Sequence, residues 1–400
     1  MRIEKLGNVI EILSGYAFQS SLFNEIGEGL PLIRVRDVNS GFAGIYYSGK
    51  YEETFLINNN DLLIGLDGDF KCVLWNNGKA LLNQRVCKII SKNDLIKQNY
   101  LFHFLPSALN EIHRNTNFTT VKHLSTKTIK EIQIPLPSLD EQIRIAEILT
   151  QAENLITQRK ESILLLDELL KSTFLEMFGD PVRNDKGWEK VPLKKFGDVI
   201  TGNTPPRGDL ENFSNDYIEW IKTDNIKEKK LYITKAIEFL SEKGLKKSRF
   251  VEKGALMVAC IAGSIDSVGR AGLSKYKVSF NQQINAIQPN ADVNSYFLYW
   301  LFKNSKKYVQ NHSSKGMKKI LTKGQFEKIV MIKPPIELQN KFASIVEKVE
   351  TLKREYQESL KELENMYGVL SQKAFKRVLK VKEYSNNEVL GMVAETRGGY

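Results

Sequence analysis

The stretch Leu139–Met177 reads LDEQIRIAEILTQAENLITQRKESILLLDELLKSTFLEM and contains neither proline nor glycine. It repeats in the alternating four-and-three spacing of a packed helix. The seam positions are Ile145, Leu149, Ala152, Ile156, Arg159, Ile163, Leu166, Leu170, Thr173 and Met177, of which eight are apolar. At about 1.5 Å per residue, the helix would be on the order of 55–60 Å long. A helix of that length cannot lie inside one compact domain, so the pattern predicts a second helix that covers its seam.

The segment from Glu337 to about Lys380 provides that second helix. Its seam in the same spacing is Phe342, Val346, Val349, Lys353, Tyr356, Leu360, Leu363, Tyr367, Leu370 and Ala374. The two registers coincide when Gln142 is overlaid on Gln339, and a proline pair precedes each helix. We therefore predict two long helices that form an antiparallel coiled coil, with the polar seam residues Arg159 and Lys353 fixing its register.

Composition limits the class of protein. The 400 residues are 42% hydrophobic, enough for two or three domains with cores, and no apolar run approaches the ~20 residues of a membrane span. The start of the chain does not resemble a signal peptide. The three cysteines and four histidines lack metal-ligand spacing. We expect a cytoplasmic protein without disulfides or structural zinc.

The net charge of +11 is unevenly distributed. Residues 180–335 carry 28 basic and 16 acidic side chains, a net charge of +12, whereas residues 1–137 carry +2, 138–179 carry −4 and 336–400 carry +1. A basic domain attached to acidic helices indicates a polyanion partner for the domain and protein partners for the helices. The alternative for residues 180–335 is a lysine excess that serves only solubility.

The chain is an internal duplication. The matching pairs are Ser14-Gly15 with Thr201-Gly202, Ile33-Arg34 with Ile221-Lys222, Asn83-Gln84 with Asn281-Gln282, and Tyr100-Leu101-Phe102 with Tyr296-Phe297-Leu298. We predict an α+β protein whose segments are two similar α/β domains at 1–137 and 180–335, rods at 138–179 and 336–380, and a polar tail at 381–400. Rods packed around a pseudo-twofold axis would place one domain at each end. This arrangement suits a protein whose two domains each recognise a short site along a DNA duplex.

Local patterns predict the elements of the first domain. Leu32–Arg36 reads as a strand with Arg34 and Arg36 on one face, and Asp61–Gly65 reads as a buried strand. Asn77-Gly78 predicts a hairpin after a strand at Cys72–Trp75. A short helix is expected from Asn99 to Leu109, and a last strand from Ile129 to Pro135.

Taken together, these features resemble the specificity subunit of type I restriction–modification systems. The residues that carry the resemblance are Ser14-Gly15, Thr201-Gly202-Asn203-Thr204-Pro205, the two Asn-Gln dipeptides, Ile134-Pro135-Leu136-Pro137-Ser138-Leu139-Asp140-Glu141-Gln142 and Phe178-Gly179-Asp180-Pro181. They span essentially residues 1–380. The second helix start departs from the pattern and reads Pro334-Pro335-Ile336-Glu337-Leu338-Gln339.

The resemblance implies a division of roles. Each globular domain would be a target recognition domain for one half of a bipartite site in double-stranded DNA. The rods would set the spacer and dock two methyltransferase (modification) subunits, and through them the restriction and motor subunits. The chain itself would hold no cofactor and perform no reaction, while its partners use S-adenosylmethionine, ATP and Mg²⁺.

The sequence lacks the motifs that an enzyme would need. Thr204-Pro205-Pro206-Arg207 and Lys333-Pro334-Pro335-Ile336 have the wrong flanks for an adenine methyltransferase, and no phosphate-binding GxxxxGK[ST] loop occurs. A nuclease set forced from Asp216, Glu228 and Lys230 is expected by chance in so charged a segment. A recognition subunit is favoured, and the alternatives are a coiled-coil scaffold with protein-binding heads and a self-contained DNA-modifying enzyme.

The candidate DNA-binding residues are basic side chains for phosphates and planar or amide groups for base edges. They are Arg34, Arg36, Lys71, Trp75, Lys79, Asn83, Gln84, Arg85, Thr120 and Lys122 in the first domain, and Lys222, Ser264, Arg270, Lys275, Asn281, Gln282, Lys315 and Lys318 in the second. Thr120, Lys122 and His123 fall on a polar loop expected to bind phosphates. The alternatives are surface hairpins for the principal loops, a side-chain-to-backbone role for the asparagines, and a solvated face for Arg34 and Arg36.

Overall fold

The computed structural model describes residues 2–92, 95–115, 122–213, 216–262, 264–314 and 319–375. The chain divides into two compact units. Unit 1 comprises Met1–Arg159 and Ser359–Tyr400, and unit 2 comprises Lys160–Glu358. Each unit therefore contains one globular part and a segment of both long helices, so that neither helix forms a compact unit of its own.

The two long helices span Leu139–Phe178 and Ile336–Phe375, 40 residues each. The predicted seams are confirmed, because every seam position is buried or half-buried in both helices. Residues 376–380 of the predicted second helix lie outside the described residues. In unit 2 the helix segments run antiparallel, since Phe174 and Phe178 pack on Phe342 while residues earlier on the first segment meet residues later on the second.

Polar seam residues are paired across the helices. Lys353, only 8% exposed, places its Nζ atom 2.7 Å from Asp167 Oδ1 in unit 2. In unit 1 the Tyr367 hydroxyl donates to Glu153 Oε1 at 2.7 Å. A buried charge or hydroxyl needs a partner at one position of the neighbouring helix, so these pairs favour a single register.

Unit 1 contains two main sheets. One has the strand order Ile10–Ser14, Val86–Ser91, Leu62–Gly65, Cys72–Leu74, and the other Phe23–Asn24, Tyr46–Tyr47, Leu30–Ile33, Ala80–Leu82, Leu56–Ile57; Arg2–Lys5 pairs with Gln133–Leu136. The helices of the globular part are Leu6–Val9, Val35–Ser40, Gln98–Asn115 and Thr126–Glu131. Gln98–Asn115 packs between the first sheet and the long-helix segments, so one apolar cluster joins all of them.

Unit 2 repeats this plan. Its sheets have the strand orders Gly197–Thr201, Ile284–Pro289, Leu256–Ala259, Ala271–Leu273 and Phe239–Leu240, Ile218–Ile221, Val278–Phe280, Phe250–Val251, with the pairs Lys190–Pro192 with Val330–Ile332 and Ile261–Ala262 with Lys319–Ile320. The helices of the globular part are Glu242–Lys246, Ser295–Asn304, Lys306–Asn311 and Lys323–Lys328. Ser295–Asn304 again packs between sheet and long-helix segments.

A buried glutamine fixes each long helix to its globular part in the same way. Gln142 accepts a hydrogen bond from the Lys97 backbone N–H at 2.9 Å and donates to the carbonyls of Leu95 and Pro137. In unit 2, Gln339 accepts from the Asn294 N–H at 2.9 Å and donates to the carbonyls of Asp292 and Pro334. The overlay of the two glutamines that the sequence suggested is therefore confirmed by identical contacts.

Aromatic contacts with the long helices correct one of the predicted matches between the two domains. The Tyr100 ring lies 5.4 Å from that of Phe375, and the Phe297 ring lies 4.9 Å from that of Phe178. Tyr100 therefore corresponds to Phe297 rather than to Tyr296. The prediction was one residue out of step because it paired Tyr100 with the tyrosine at position 296, whereas the equivalent residue is Phe297.

Three local predictions were wrong. The strand expected at Leu32–Arg36 ends at Ile33, because Asp37 accepts a hydrogen bond from the Arg34 N–H and caps the helix Val35–Ser40. Asn77-Gly78 closes no hairpin, since the strands on either side belong to different sheets. The strand expected at Ile129–Pro135 begins as the helix Thr126–Glu131, which Ser125 caps.

Candidate nucleic-acid interface

Loops from distant parts of the sequence meet in unit 1 at the end of the strand Leu62–Gly65. The Leu66 N–H donates to the Arg85 carbonyl at 2.9 Å, and the Leu124 N–H donates to the Leu66 carbonyl at 2.7 Å. The Gly65 N–H donates to the Lys71 carbonyl at 2.9 Å. Residues 66–71, 83–85 and 122–124 thus form one surface, which we call edge 1. It brings together Lys71, Gln84, Arg85 and Lys122 from the predicted set.

Unit 2 builds the same surface with the same backbone connections. The Ala259 N–H donates to the Arg270 carbonyl, the Cys260 N–H to the Gln283 carbonyl and the Leu321 N–H to the Cys260 carbonyl, at 2.9, 2.8 and 2.8 Å. Residues 260–262, 264–270, 281–283 and 319–321 form edge 2. Arg270 takes the place of Lys71. Thr120, Lys315 and Lys318 lie outside the described residues, so their roles stay predictions.

A glycine packed on an asparagine carbonyl shapes each edge. A β-carbon on Gly15 would lie 2.1 Å from the Asn83 carbonyl oxygen, and one on Gly202 would lie 2.2 Å from that of Asn281. Only glycine allows this approach. The Asn83 side chain accepts from the Gln84 N–H at 2.9 Å, and the Gln84 side chain is exposed.

The Asn281 side chain closes its own turn. It is 6% exposed, its Oδ1 atom accepts from the Gln283 N–H at 3.1 Å, and its Nδ2 atom donates to Gln283 Oε1 at 3.0 Å. These bonds fit the side-chain-to-backbone role that the sequence left open for the asparagines, and a contact between Asn281 and DNA stays a prediction. Its neighbour Gln282 is exposed, and Thr204 Oγ1 donates to its side-chain oxygen at 2.5 Å.

Arg34 and Arg36 lie beside edge 1 but not on a strand. The Asn83 N–H donates to the Ile33 carbonyl at 3.2 Å, which places Arg34 next to the turn. Asp37 Oδ2 lies 3.8 Å from Arg34 Nε, and Asp37 Oδ1 lies 3.8 Å from Arg36 Nε. Arg34 is half-buried and Arg36 is exposed, so Arg36 is the better placed to reach a ligand.

Trp75, Lys79 and Lys275 lie away from the edges. The Trp75 N–H donates to Asp61 O at the opposite end of the strand Leu62–Gly65, and the Trp75 side chain is 1% exposed. Its indole N–H donates to the Gly78 carbonyl at 2.7 Å, so the buried side chain contradicts the prediction that Trp75 binds DNA. Lys79 follows Gly78 in the same loop. Lys275 occupies the corresponding end in unit 2 and stacks over the Tyr232 ring at 4.9 Å.

Other predicted residues of unit 2 are engaged within the protein. Lys222 pairs with Glu238 and lies over the Trp220 ring at 5.2 Å. The hydrogen bond from Lys222 is the main reason that the pKa of Glu238 is lowered. Ser264 is exposed and its hydroxyl lies 3.1 Å from that of Ser267. Arg270 is half-buried, and its Nε atom donates to the Ser267 carbonyl at 3.3 Å.

Sequence reasoning missed Tyr16. This residue follows Gly15, bridges to Asn83 and is 51% exposed. The rings of Phe18 and Phe55 support it at centroid distances of 5.2 and 5.0 Å. A supported, half-exposed aromatic ring beside a polar edge can stack on a base or contact a thymine methyl group. The sequence signal that could have identified Tyr16 is its position directly after Gly15, the glycine that the two domains share.

Three further observations on the described residues concern metals, thiols and membrane spans. No group of three or more His, Cys, Asp or Glu side chains could hold a metal ion in this part of the chain. Burial raises the pKa of the thiols of Cys72, Cys87 and Cys260 to about 12, which makes them poor nucleophiles. Within the same ranges, no helix has the length and apolar character that a bilayer crossing requires.

Comparison with known proteins agrees with the duplication. A sequence model described as "Type I restriction modification DNA specificity domain" matches residues 1–165 and again residues 185–365. The type I restriction enzyme EcoBI specificity subunit of Escherichia coli is 42% identical over 166 residues, which are 42% of this chain and 35% of that protein. The MjaVIII specificity subunit of Methanocaldococcus jannaschii is 25% identical over 257 residues, 61% of this chain and 59% of that protein. The alignments thus span less than two thirds of either relative.

Solved structures support the fold. The S subunit of a type I restriction–modification system from M. genitalium aligns over 96% of both chains with a TM-score of 0.58 at 14% identity. A chain from a study of complex assembly and conformational transition of the type I R-M system aligns over 94% of this chain and 98% of that chain, with a TM-score of 0.58 at 16% identity. At such identities the likeness concerns the fold alone.

Proposed function

The chain belongs to the type I restriction modification DNA specificity family, and on that premise we propose that it is the sequence-recognition subunit of a type I restriction–modification complex. Each unit reads one half of a bipartite site in double-stranded DNA through its loop edge. The long helices set the spacer between the half-sites. Methylation and cleavage, with S-adenosylmethionine, ATP and Mg²⁺, belong to partner subunits.

The observation that carries this proposal is the repetition of the edges. Both units close three loops with equivalent backbone hydrogen bonds, and both place a basic residue, Lys71 or Arg270, at the same point. Next to it stands an exposed glutamine, Gln84 or Gln282. Cations bind phosphates, and amides pair with adenine in the major groove, so each edge supplies both kinds of contact that recognition requires.

A second surface supports partner docking. Leu164, Leu165 and Leu169 of the first long helix are 57%, 66% and 50% exposed in unit 2, although Leu166 and Leu170 on the other face are buried. Adjacent exposed leucines on a helix whose inner face is already covered favour a protein interface. We assign this surface to the methyltransferase subunits.

The test is salt-dependent DNA binding by the full chain. Fluorescence anisotropy with a labelled 40-bp duplex should show affinity that falls linearly on a log–log plot against salt. Lys71→Gln and Arg270→Gln should each weaken binding and reduce the slope by about 1. Lys79→Gln and Lys275→Gln, which make the same charge change at the opposite ends of the strands, are the matched controls.

The outcomes separate the candidate functions. Absence of salt-dependent binding would favour the scaffold with protein-binding heads. Equal effects of the edge variants and their controls would contradict the placement of the interface. Methyl transfer to DNA by the purified chain alone, with S-adenosylmethionine present, would favour a self-contained enzyme.

A further inference from the structure

A triad of side chains, Asp67, Arg85 and His123, lies on edge 1. Asp67 Oδ1 lies 2.7 Å from His123 Nδ1, and Asp67 Oδ2 lies 3.6 Å from Arg85 Nε. The carboxylate is the most recessed of the three side chains, at 28% exposed, whereas the side chains of Arg85 and His123 are 56% and 49% exposed. The acid therefore lies beneath two outward-facing cationic or polar groups.

Unit 2 shows that the fold does not need this triad. The bridge between Asp67 and His123 is replaced there by the pairing of Ile261 with Ile320. Gln283, whose carbonyl makes the backbone contact that Arg85 makes in unit 1, turns its side chain inward to Asn281. The same loops close with two isoleucines and a glutamine. The charged groups of unit 1 thus require an explanation other than loop closure.

The position of the acid is informative. A carboxylate on a surface that faces phosphates opposes binding, because the backbone of DNA is uniformly negative. Asp67 reduces that cost by lying between Arg85 and His123. Its gain is orientation, since a carboxylate beside Nε favours side-chain conformations in which the two terminal nitrogens of the guanidinium point away from the acid. Those two donors match the O6 and N7 acceptors of guanine in the major groove.

We propose that Asp67 is a positioning residue that directs Arg85 at a guanine in the half-site read by unit 1, with His123 bracing the second carboxylate oxygen. Edge 2 lacks this device and reads its half-site by other groups. The inference rests on the proposed function, because it requires edge 1 to face DNA. It goes further in naming one base and the residues that read it.

Selection from a pool of duplexes with a randomised 25-bp core tests the proposal with the full chain. Wild type should select a bipartite motif with a fixed guanine in one half. Arg85→Lys keeps the positive charge but removes the pair of terminal guanidinium donors. It should reduce the preference for that guanine on the order of tenfold to hundredfold. Asp67→Asn should reduce the same preference while total DNA affinity stays equal or rises, because a negative charge has been removed. A purely structural role for Asp67 would not produce a loss at one base pair.

Two further variants guard the interpretation. Arg144→Lys, the same change at an exposed arginine on the first long helix, should leave the motif unchanged. The triple variant Asp67→Ile, Arg85→Gln, His123→Ile carries the residues of unit 2 at these positions, so its loops should close. It should lose the preference for the guanine. It should still select the other half-site, which shows that the chain is folded. Retention of the guanine by Arg85→Lys and the triple variant would overturn the inference while the function stands. If wild type selected no motif, the proposed function would fall, and this inference with it.

Discussion

Replacing Gln142 by leucine should lower the free energy of unfolding of unit 1 by about 3–5 kcal/mol. Gln142 is fully buried, and leucine has a similar volume, so the change removes hydrogen bonds without opening a large cavity. The Lys97 N–H loses its acceptor at 2.9 Å, and the carbonyls of Leu95 and Pro137 lose donors at 3.0 and 3.1 Å. An orphaned buried N–H costs about 1–3 kcal/mol, and carbonyls tolerate the loss of a donor somewhat better.

Urea unfolding of the full chain followed by far-UV circular dichroism measures the effect. The urea concentration at the midpoint of the unit 1 transition should fall. The slope of the free energy of unfolding against urea concentration should stay the same. Gln339→Leu breaks the equivalent contacts and should lower the free energy of unfolding of unit 2 by a similar amount. Gln151→Leu, at an exposed position on the same helix as Gln142, is the control and should change stability by less than about 0.5 kcal/mol. A Gln142→Leu variant as stable as this control would refute the reasoning.

Three further changes probe other parts of the molecule. Gly15→Ala, whose added carbon would meet the Asn83 carbonyl at 2.1 Å, should abolish selection of one half-site and spare the other, whereas Gly44→Ala, with open space around it, should spare both in the same duplex selection. Burial raises the pKa of Glu153, but hydrogen bonds from His103 and Tyr367 outweigh it and hold that pKa below its ordinary value. The carboxylate therefore contributes stability above its unfolded pKa that is lost as pH falls through the folded one. Tyr367→Phe should cost about 1 kcal/mol at pH 7, a value reduced for the 37% exposure of Glu153, and this difference should shrink in thermal melts below pH 4. Leu165→Ser should weaken capture of co-expressed methyltransferase subunits on the order of tenfold in surface plasmon resonance, with DNA affinity unchanged; equal capture would move the docking surface elsewhere.

The long helices and the duplication were predictable because their signals are local and repeated. Spacing along a helix decides which side chains can be buried together, so the seams from Ile145 and from Phe342 could be read directly from the sequence. Gln142 and Gln339 aligned because each must satisfy backbone groups of the preceding loop. The partition of each helix between two units was not predictable, because it depends on contacts with the globular parts.

Side-chain exposure in the loops was predicted less well, for physical reasons that differ from residue to residue. The Asp37 carboxylate competes for the Arg34 N–H and ends a strand that hydrophobic alternation would have extended. Trp75 was assigned to the interface by its type and its loop, yet the sheet order buries it. Lys79 and Lys275 were assigned to the interface because they are close in sequence to Lys71 and Arg270. The direction of the strands places them at the opposite end of each sheet from the edges. Each error concerns tertiary arrangement rather than local pattern.

The comparison of the two units separates what the fold fixes from what recognition can vary. Positions whose backbone or buried amide closes the scaffold keep their identity between the units, as Gly15 and Gly202 or Gln142 and Gln339 do. Other positions on the same edges differ, although the exposed Gln84 and Gln282 are the same, and the clearest case is Arg85 against Gln283, which make the same backbone contact. Since the loops are held by backbone hydrogen bonds, their side chains can change with little cost in stability. On the proposed function, substitutions on the edges would therefore change the target sequence while the core and the helices stay the same.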